Sequence, residues 1–322
     1  MDLIKLDLRD RRLLFELEKD GRQPLTQLAK RMQVSKEVAH YRLQKMLDSG
    51  LASLLFANWE PAACGYDNYA LYFRIQGMPA KTERQLHGFA TSLPQTAWIA
   101  SLAGRFDLVI KLYVRSVKEL DDFLSKFLDK YGPYVSEKQV TVRTGQTYFY
   151  SPKRFFQGFG VPDVHHSKFR AKTHELDSID EKILMQLSKN ARRPYMELAK
   201  ECGVSAETVR QRMKQLIRTD VIKGFTCYPD RRKLGFSHYK IFLRFHYPTS
   251  ERVQPLIKWC EQNESTLFMV SCIGAWDLEL DVDVLSSEEF HALLKELAGK
   301  FRDIISDYSW VLIADEQLLN WP

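Results

Sequence analysis

The feature that most constrains this chain is that it is written twice. From about residue 6 to about residue 142 the same residues recur at an offset of 170, with no insertion needed. Leu6, Asp7 and Asp10 return as Leu176, Asp177 and Asp180; Arg22 and Pro24 return as Arg192 and Pro194. Leu28, Ala29, Lys30, Val34, Ser35, Glu37 and Arg42 return as Leu198, Ala199, Lys200, Val204, Ser205, Glu207 and Arg212. Farther on, Gly65, Tyr69, Arg74, Ser101, Gly104 and Asp107 return as Gly235, Tyr239, Arg244, Ser271, Gly274 and Asp277. A period this long is a duplicated domain set rather than a solenoid repeat. Whatever one copy folds into, the chain must accommodate a second.

Each copy opens with a three-helix block. Leu198 and Ala199 face inward on a short helix, and Gly203 permits a turn of positive φ. Ser205 stands where an N-cap belongs. Val209, Met213 and Leu216 then repeat at helical spacing on one side. The other side offers Glu207, Arg210, Gln211 and Lys214. One face to dock and one to read is the division of labour of a helix-turn-helix. In the first copy Asp7 caps a helix carrying Leu13, Leu14 and Leu17, Pro24 suits the first turn of the second helix, and the third runs from Ser35 toward Asp48. A short strand follows, Leu51–Asn58 or Val221–Cys227, as connector or wing.

After Gly65 the period changes. Strands at 69–75, 96–103, 108–114 and 135–143 and helices at 81–93 and 117–131 give the order β-α-β-β-α-β, the split βαβ of ferredoxin-like domains. The expected fold class is α+β, a tandem duplication of a winged helix-turn-helix domain followed by a ferredoxin-like sandwich domain. The aromatic residues in those strands require the bare sheet face to be covered, most simply by the other copy's sheet. The domain expectations are 1–60 and 174–235 for the helix-turn-helix blocks, 61–156 and 236–322 for the sandwiches, and 157–173 for a linker. Tyr148, Phe149, Tyr150, Phe155 and Phe156 lie among Lys153 and Arg154, a mixture that suits stacking on nucleic acid or, as the favoured reading, an arm packed on the first sheet.

Charge is partitioned along the chain. Residues 143–173 carry a net +5, residues 174–235 a net +4, and residues 236–322 a net −7. One part suits phosphates while another is kept off them. The five scattered cysteines include no C-x-x-C pair, which favours reduced thiols and a cytoplasmic location over disulfides or zinc. No run approaches the roughly 18 apolar residues of a membrane span, and the N-terminus does not read as a signal peptide.

In this fixed order, Leu176-Asp177-x-x-Asp180, Arg192, Leu198-Ala199, Ser205, Val209, Arg212 and Gly274-x-x-Asp277 resemble the Lrp/AsnC (feast–famine) transcriptional regulators, and the pattern occurs twice. The resemblance implies that the helix-turn-helix blocks bind double-stranded DNA. The expected contacts are Arg210, Gln211, Arg212 and Lys214 in the second copy, and Lys36, His40, Tyr41, Arg42 and Lys45 in the first. Arg and Gln carry forked donors for guanine and adenine edges, while Lys mainly meets phosphate; Arg42 and Arg212 equally suit bracing of the domain. The resemblance further implies assembly through the sandwich domains, by pairing within the chain and by homo-oligomers. It also implies an amino acid or related small effector at Ser101, Gly104, Arg105 and Asp107 and at Ser271, Gly274, Ala275 and Asp277. A turn that only joins two strands is the alternative there. Some proteins of this build are tetrapyrrole (sirohaem) decarboxylases, chemistry expected to need His, Arg or Tyr facing a pocket. The strands Thr96–Ala103 and Thr266–Ile273 hold no histidine, and both Gly-x-x-Asp turns are intact. The expectation is therefore no enzyme, no catalytic residue, no cofactor and no metal. An effector-binding protein that has lost DNA binding is the third reading.

Overall fold

A computed structural model describes residues 3–52, 54–149, 159, 165–167 and 174–318. The first copy supplies α1 (Leu8–Lys19), α2 (Leu25–Met32), α3 (Lys36–Asp48), β1 (Leu54–Trp59), β2 (Asp67–Ile75), α4 (Ala80–Ser92), β3 (Thr96–Gly104), β4 (Leu108–Val114), α5 (Val117–Tyr131) and β5 (Val135–Phe149). After β6 (His165–Ser167), the second supplies α6 (Ser178–Lys189), α7 (Tyr195–Cys202), α8 (Ala206–Arg218), β7 (Ile222–Tyr228), β8 (Ser237–Phe245), α9 (Ser250–Gln262), β9 (Thr266–Gly274), β10 (Leu278–Val284), α10 (Ser287–Lys300) and β11 (Ile305–Leu318). The elements sort into two compact units, each drawing on both copies.

The first unit holds both helix-turn-helix blocks. Their helices start where the local chemistry says they must. Asp7 and Asp10 form a reciprocal capping box on α1, and Ser35 and Ser205 accept the Val38 and Thr208 amides to start α3 and α8. The turn into each recognition helix needs one left-handed residue. Gly203 takes it at φ +70° in the second copy, but Gln33 takes it at φ 56° in the first. Leu13, Leu14, Leu17, Leu28, Ala39, Leu43 and Met46 close the first block's core.

The strands expected as separate wings pair instead with each other. In β1–β7 the residue Phe56 lies opposite Thr226, its own counterpart at the 170 offset, with Leu54 opposite Tyr228 and Asn58 opposite Gly224. A lone short strand would leave both rows of backbone groups unpaired, and each copy supplies what the other lacks. The reciprocity continues beyond the ladder. Gly21 donates to the Phe225 carbonyl and Ala191 to that of Leu55; Glu60 donates to Val221 and Asp230 to Leu51; Ile4 donates to Lys233 and His174 to Ala63. Arg22 reaches the Ala191 carbonyl while Arg192 reaches those of Gly21 and Gln23. The two blocks are thus related by a local dyad through the Phe56–Thr226 pair.

The second unit holds the two ferredoxin-like sheets. Each has four strands, β5-β2-β4-β3 and β11-β8-β10-β9, with its helices packed on one face. The expectation that the other copy covers the bare face holds, and the sheets are also joined edge to edge. β11 runs on from β8 to pair with β3, and β5 runs on from β2 to pair with β9. Following neighbours around β2-β4-β3-β11-β8-β10-β9-β5 returns to β2, a closed ring of eight antiparallel strands. Closure removes the open edges. β5 continues through Phe149, where it also pairs with β6; the rest of the arm expected through Phe156 lies outside the described residues. Of the expected linker, only Phe159 and His165–Ser167 are described; the Phe159 ring lies 6.0 Å from that of Phe15.

Candidate nucleic-acid interface and the Gly-x-x-Asp turns

On α8 the inward row Val209, Met213 and Leu216 is buried, leaving Arg210, Gln211 and Lys214 exposed on the other side. On α3, Ala39, Leu43 and Met46 are buried while Lys36, His40, Tyr41 and Lys45 are exposed, Tyr41 by 68%. Arg210 leans on Glu207 at 3.2 Å, a pair about half exposed on both sides. Such a contact contributes little and yields readily to a phosphate or base edge. Arg42 and Arg212 are placed differently. Arg42 Nη1 lies 2.8 Å from Asp7 and 2.6 Å from Asp10, and Arg212 Nη1 lies 2.6 Å from Asp177 and 3.4 Å from Asp180. Each ties its recognition helix to the capped start of the block's first helix. Hydrogen bonding to Asp7 and to Asp177 respectively, against some desolvation, raises both guanidinium pKa values.

In the second unit both Gly-x-x-Asp turns are built alike. Gly104 and Gly274 each sit at φ +136°, and a Cβ there would meet the Trp310 carbonyl oxygen at 3.0 Å or that of Val140 at 2.8 Å. The glycine is what lets β11 and β5 cross to the neighbouring sheet. Asp107 accepts the Ile75 amide at 2.7 Å, and Asp277 accepts the Phe245 amide at 2.7 Å, so one carboxylate oxygen of each closes the end of a strand. The Arg244 guanidinium donates to the Ala275 carbonyl at 2.7 Å, and Arg74 reaches the Arg105 carbonyl at 3.4 Å. Ser101 Oγ lies 3.2 Å from His87 Nε2, while the Ser271 carbonyl accepts the Thr144 hydroxyl at 3.1 Å.

Between the sheets lies a charged group that the sequence reading missed. Arg143 Nη2 meets Glu279 at 2.6 Å; Lys240 Nζ lies 2.6 Å from Asp281 and 3.4 Å from Glu279. Trp276 Nε1 donates to Glu279 at 3.2 Å, and the His238 ring lies 3.8 Å from Asp281 and 4.0 Å from Glu316. Burial alone would push the Glu279 carboxyl up, but the Arg143 and Lys240 charges outweigh it and hold it at about 2. Asp281 is likewise held down, chiefly by Lys240 against the same desolvation. The available signal was β10, Leu-Glu-Leu-Asp-Val-Asp-Val. A strict alternation placing acids on a face that the other sheet must cover requires partners for them.

The comparisons with known proteins bear on both units. Residues 176–217 match the AsnC-type helix-turn-helix domain, and residues 6–52 match a winged helix-turn-helix DNA-binding domain. Over 121 residues the chain is 32% identical to the regulatory protein AsnC of Haemophilus influenzae, spanning 80% of that protein with 38% of its own length. The chain belongs to the AsnC/Lrp family. A second relative, the HTH-type transcriptional regulator Ptr1 of Methanocaldococcus jannaschii, is 29% identical over 131 residues, which span 85% of it and 41% of this chain. Each relative thus corresponds in length to one copy.

The AsnC/Lrp assignment does not carry the expectation that the chain is no enzyme. Among solved structures the siroheme decarboxylase NirDL matches 96% of this chain and 91% of its own, with a TM-score of 0.63 and 14% identity. At that identity the likeness is one of fold. It nonetheless corrects the expectation, because an enzyme uses the same two-copy architecture. The inference from the missing histidines failed for a physical reason: it inspected only β3 and β9. His238 on β8 and Arg143 on β5 enter the inter-sheet space from other strands. Among the described residues no cluster suited to a metal ion occurs, and no helix is long and apolar enough to cross a membrane.

Proposed function

We propose that this protein is a sequence-specific DNA-binding transcriptional regulator of the Lrp/AsnC type. The observation that carries the reading is the pair of recognition helices. α3 and α8 each bury one row and leave basic and amide side chains uncovered on the other. Lys36, His40, Tyr41 and Lys45, with Arg210, Gln211 and Lys214, are the proposed contacts. Arg42 and Arg212 hold the helices in place from behind. The family relationship supports an amino acid or related effector acting through the second unit, and homo-oligomers assembled there. Because Asp107 and Asp277 each use an oxygen on a strand end, backbone groups of the turns are the better candidates for recognising it. Duplex binding should weaken steeply with salt, since several Lys and Arg side chains would displace condensed counterions. Selection from a random duplex pool tests the reading, and failure of any sequence to enrich counts against it. Thermal-shift titration with single amino acids tests the effector.

A second reading, chemistry on a tetrapyrrole, draws on the full-length likeness to NirDL and on the polar group between the sheets. Release of carbon dioxide from sirohaem by the purified protein would support it, and its absence would remove it.

A further inference from the structure

We propose that a single chain reads a non-palindromic operator in one fixed orientation, α8 specifying one half-site and α3 a different one. The inference rests on the DNA-binding reading above and extends it to the class of target. Its basis is a conflict between backbone symmetry and side-chain identity. The β1–β7 register, centred on Phe56 and Thr226, together with three reciprocal pairs of backbone hydrogen bonds, relates the two blocks by a local dyad. Dyad-related recognition helices present themselves to inverted half-sites, which is why symmetric dimers of helix-turn-helix proteins read palindromes.

The side chains on those helices do not share the symmetry. At matched positions His40 stands for Arg210, Tyr41 for Gln211 and Gln44 for Lys214; Lys36 stands for Ala206 and Asp48 for Arg218. The inward row changes residue but stays apolar and buried, Ala39 matching Val209, Leu43 matching Met213 and Met46 matching Leu216, and Arg42 and Arg212 are identical on their aspartates. The buried row therefore keeps its chemical character, whereas the outward positions, Glu37 and Glu207 apart, exchange one chemistry for another. Arg210 and Gln211 carry the forked donors that pair with guanine O6/N7 and adenine N6/N7, whereas the exposed Tyr41 ring offers apolar contact of the kind a thymine methyl accepts. Arg210, Lys214 and Arg218 against Glu207 also make the α8 face more cationic than that of α3, where Lys36 and Lys45 are offset by Glu37 and Asp48. Because the β1–β7 ladder joins the two blocks within one polypeptide, the dyad it creates always relates unlike helices.

The test is selection of bound sequences from a random duplex pool with the intact chain, repeated with Arg210→Ala plus Gln211→Ala and with His40→Ala plus Tyr41→Ala. All four side chains are exposed, so the variants keep their folded cores. The expected wild-type motif has two unlike halves, about one helical turn apart between centres. The α8 variant should lose base preference in one half only, and the α3 variant in the other only. A motif with two like halves, or both variants relaxing the same positions, overturns the inference while leaving the DNA-binding reading intact. A motif confined to one half does the same. Enrichment of nothing overturns both.

Discussion

Arg143 and Glu279 meet at 2.6 Å inside the second unit, and each comes from a different copy of the repeat. Their counterparts at the 170 offset are Ile313 and Val109. The bond that joins the halves therefore has no symmetric twin. The same holds next door, where Lys240 and Asp281 replace the Ala70 and Lys111 of the first copy. Duplication supplied two sheets able to cover one another, and divergence made the covering surfaces unlike.

Arg143→Ile should destabilise the protein strongly. Removing Arg143 leaves the buried Glu279 with only Trp276 and a Lys240 that it shares with Asp281, and breaking such a buried pair costs up to about 3–5 kcal/mol. Adding Glu279→Val to it installs at both positions the residue the other copy uses and leaves Lys240 with Asp281. The double variant should recover most of the loss, since apolar replacement of a whole buried pair is often neutral. Urea unfolding of the two variants separates these outcomes; equal losses would mean that the charge pair is not what holds this contact.

The same group should make the fold acid-sensitive. Glu279 is held at about 2 against an ordinary 4.5, and Asp281 is held below its own ordinary value of 3.8. Depressed carboxyl values mean that the unfolded chain binds protons first as pH falls. Their contribution is complete above the unfolded values, near pH 5, and is lost progressively toward pH 2. The urea midpoint should drop across that window, and drop less in the double variant, which retains only Asp281. A midpoint that fell equally in both proteins would assign the sensitivity to other carboxylates.

The positioning arginines and the outward residues should separate cleanly. Arg212→Ala removes a partly exposed cation from the half-exposed Asp177 and the buried Asp180, which keeps the His174 ring at 3.3 Å, and should cost about 1–3 kcal/mol in unfolding free energy. Lys214→Ala touches no core residue and should leave stability unchanged while reducing the slope of log affinity against log salt by about 1. Fluorescence anisotropy on a selected duplex, run beside thermal melting, reads both. A Lys214→Ala variant with an unaltered salt slope would remove that side chain from the phosphate contacts.

What the sequence revealed and what it hid divide along the range of the interactions. The starts of α3 and α8 were legible because Ser35 and Ser205 cap their own next turn. α5 and β4 were legible to the residue because amphipathic spacing and alternation are local properties. The β1–β7 ladder was not, since Phe56 and Thr226 carry no mark of pairing across 170 positions. Arg143 read as the end of the last strand; it is buried where β5 lies between β2 and β9, opposite Asn68 on one side and Cys272 on the other. Asp107 and Asp277 were legible as a motif, while the use of one oxygen on a strand-end amide needed coordinates. Arg42 and Arg212 were left between bracing and contact, and coordinates were needed to show each paired with the aspartates at the start of its block's first helix.

The two turn glycines offer a test of how the ring is closed. Gly104 and Gly274 combine φ +136° with a neighbouring carbonyl oxygen at 3.0 Å and 2.8 Å from where a Cβ would stand. Those oxygens belong to β11 and β5, backbone that cannot swing aside as a side chain can. Alanine at either site therefore meets both an unfavourable dihedral and a steric contact, and backbone strain of this kind costs on the order of 1–3 kcal/mol. The loss should appear at the crossing strands first, as faster amide hydrogen exchange in the β3–β11 ladder for Gly104→Ala and in the β5–β9 ladder for Gly274→Ala. If each substitution instead weakened the whole unit evenly, with no excess at its own junction, the ring would be opening as one cooperative body rather than at these two seams.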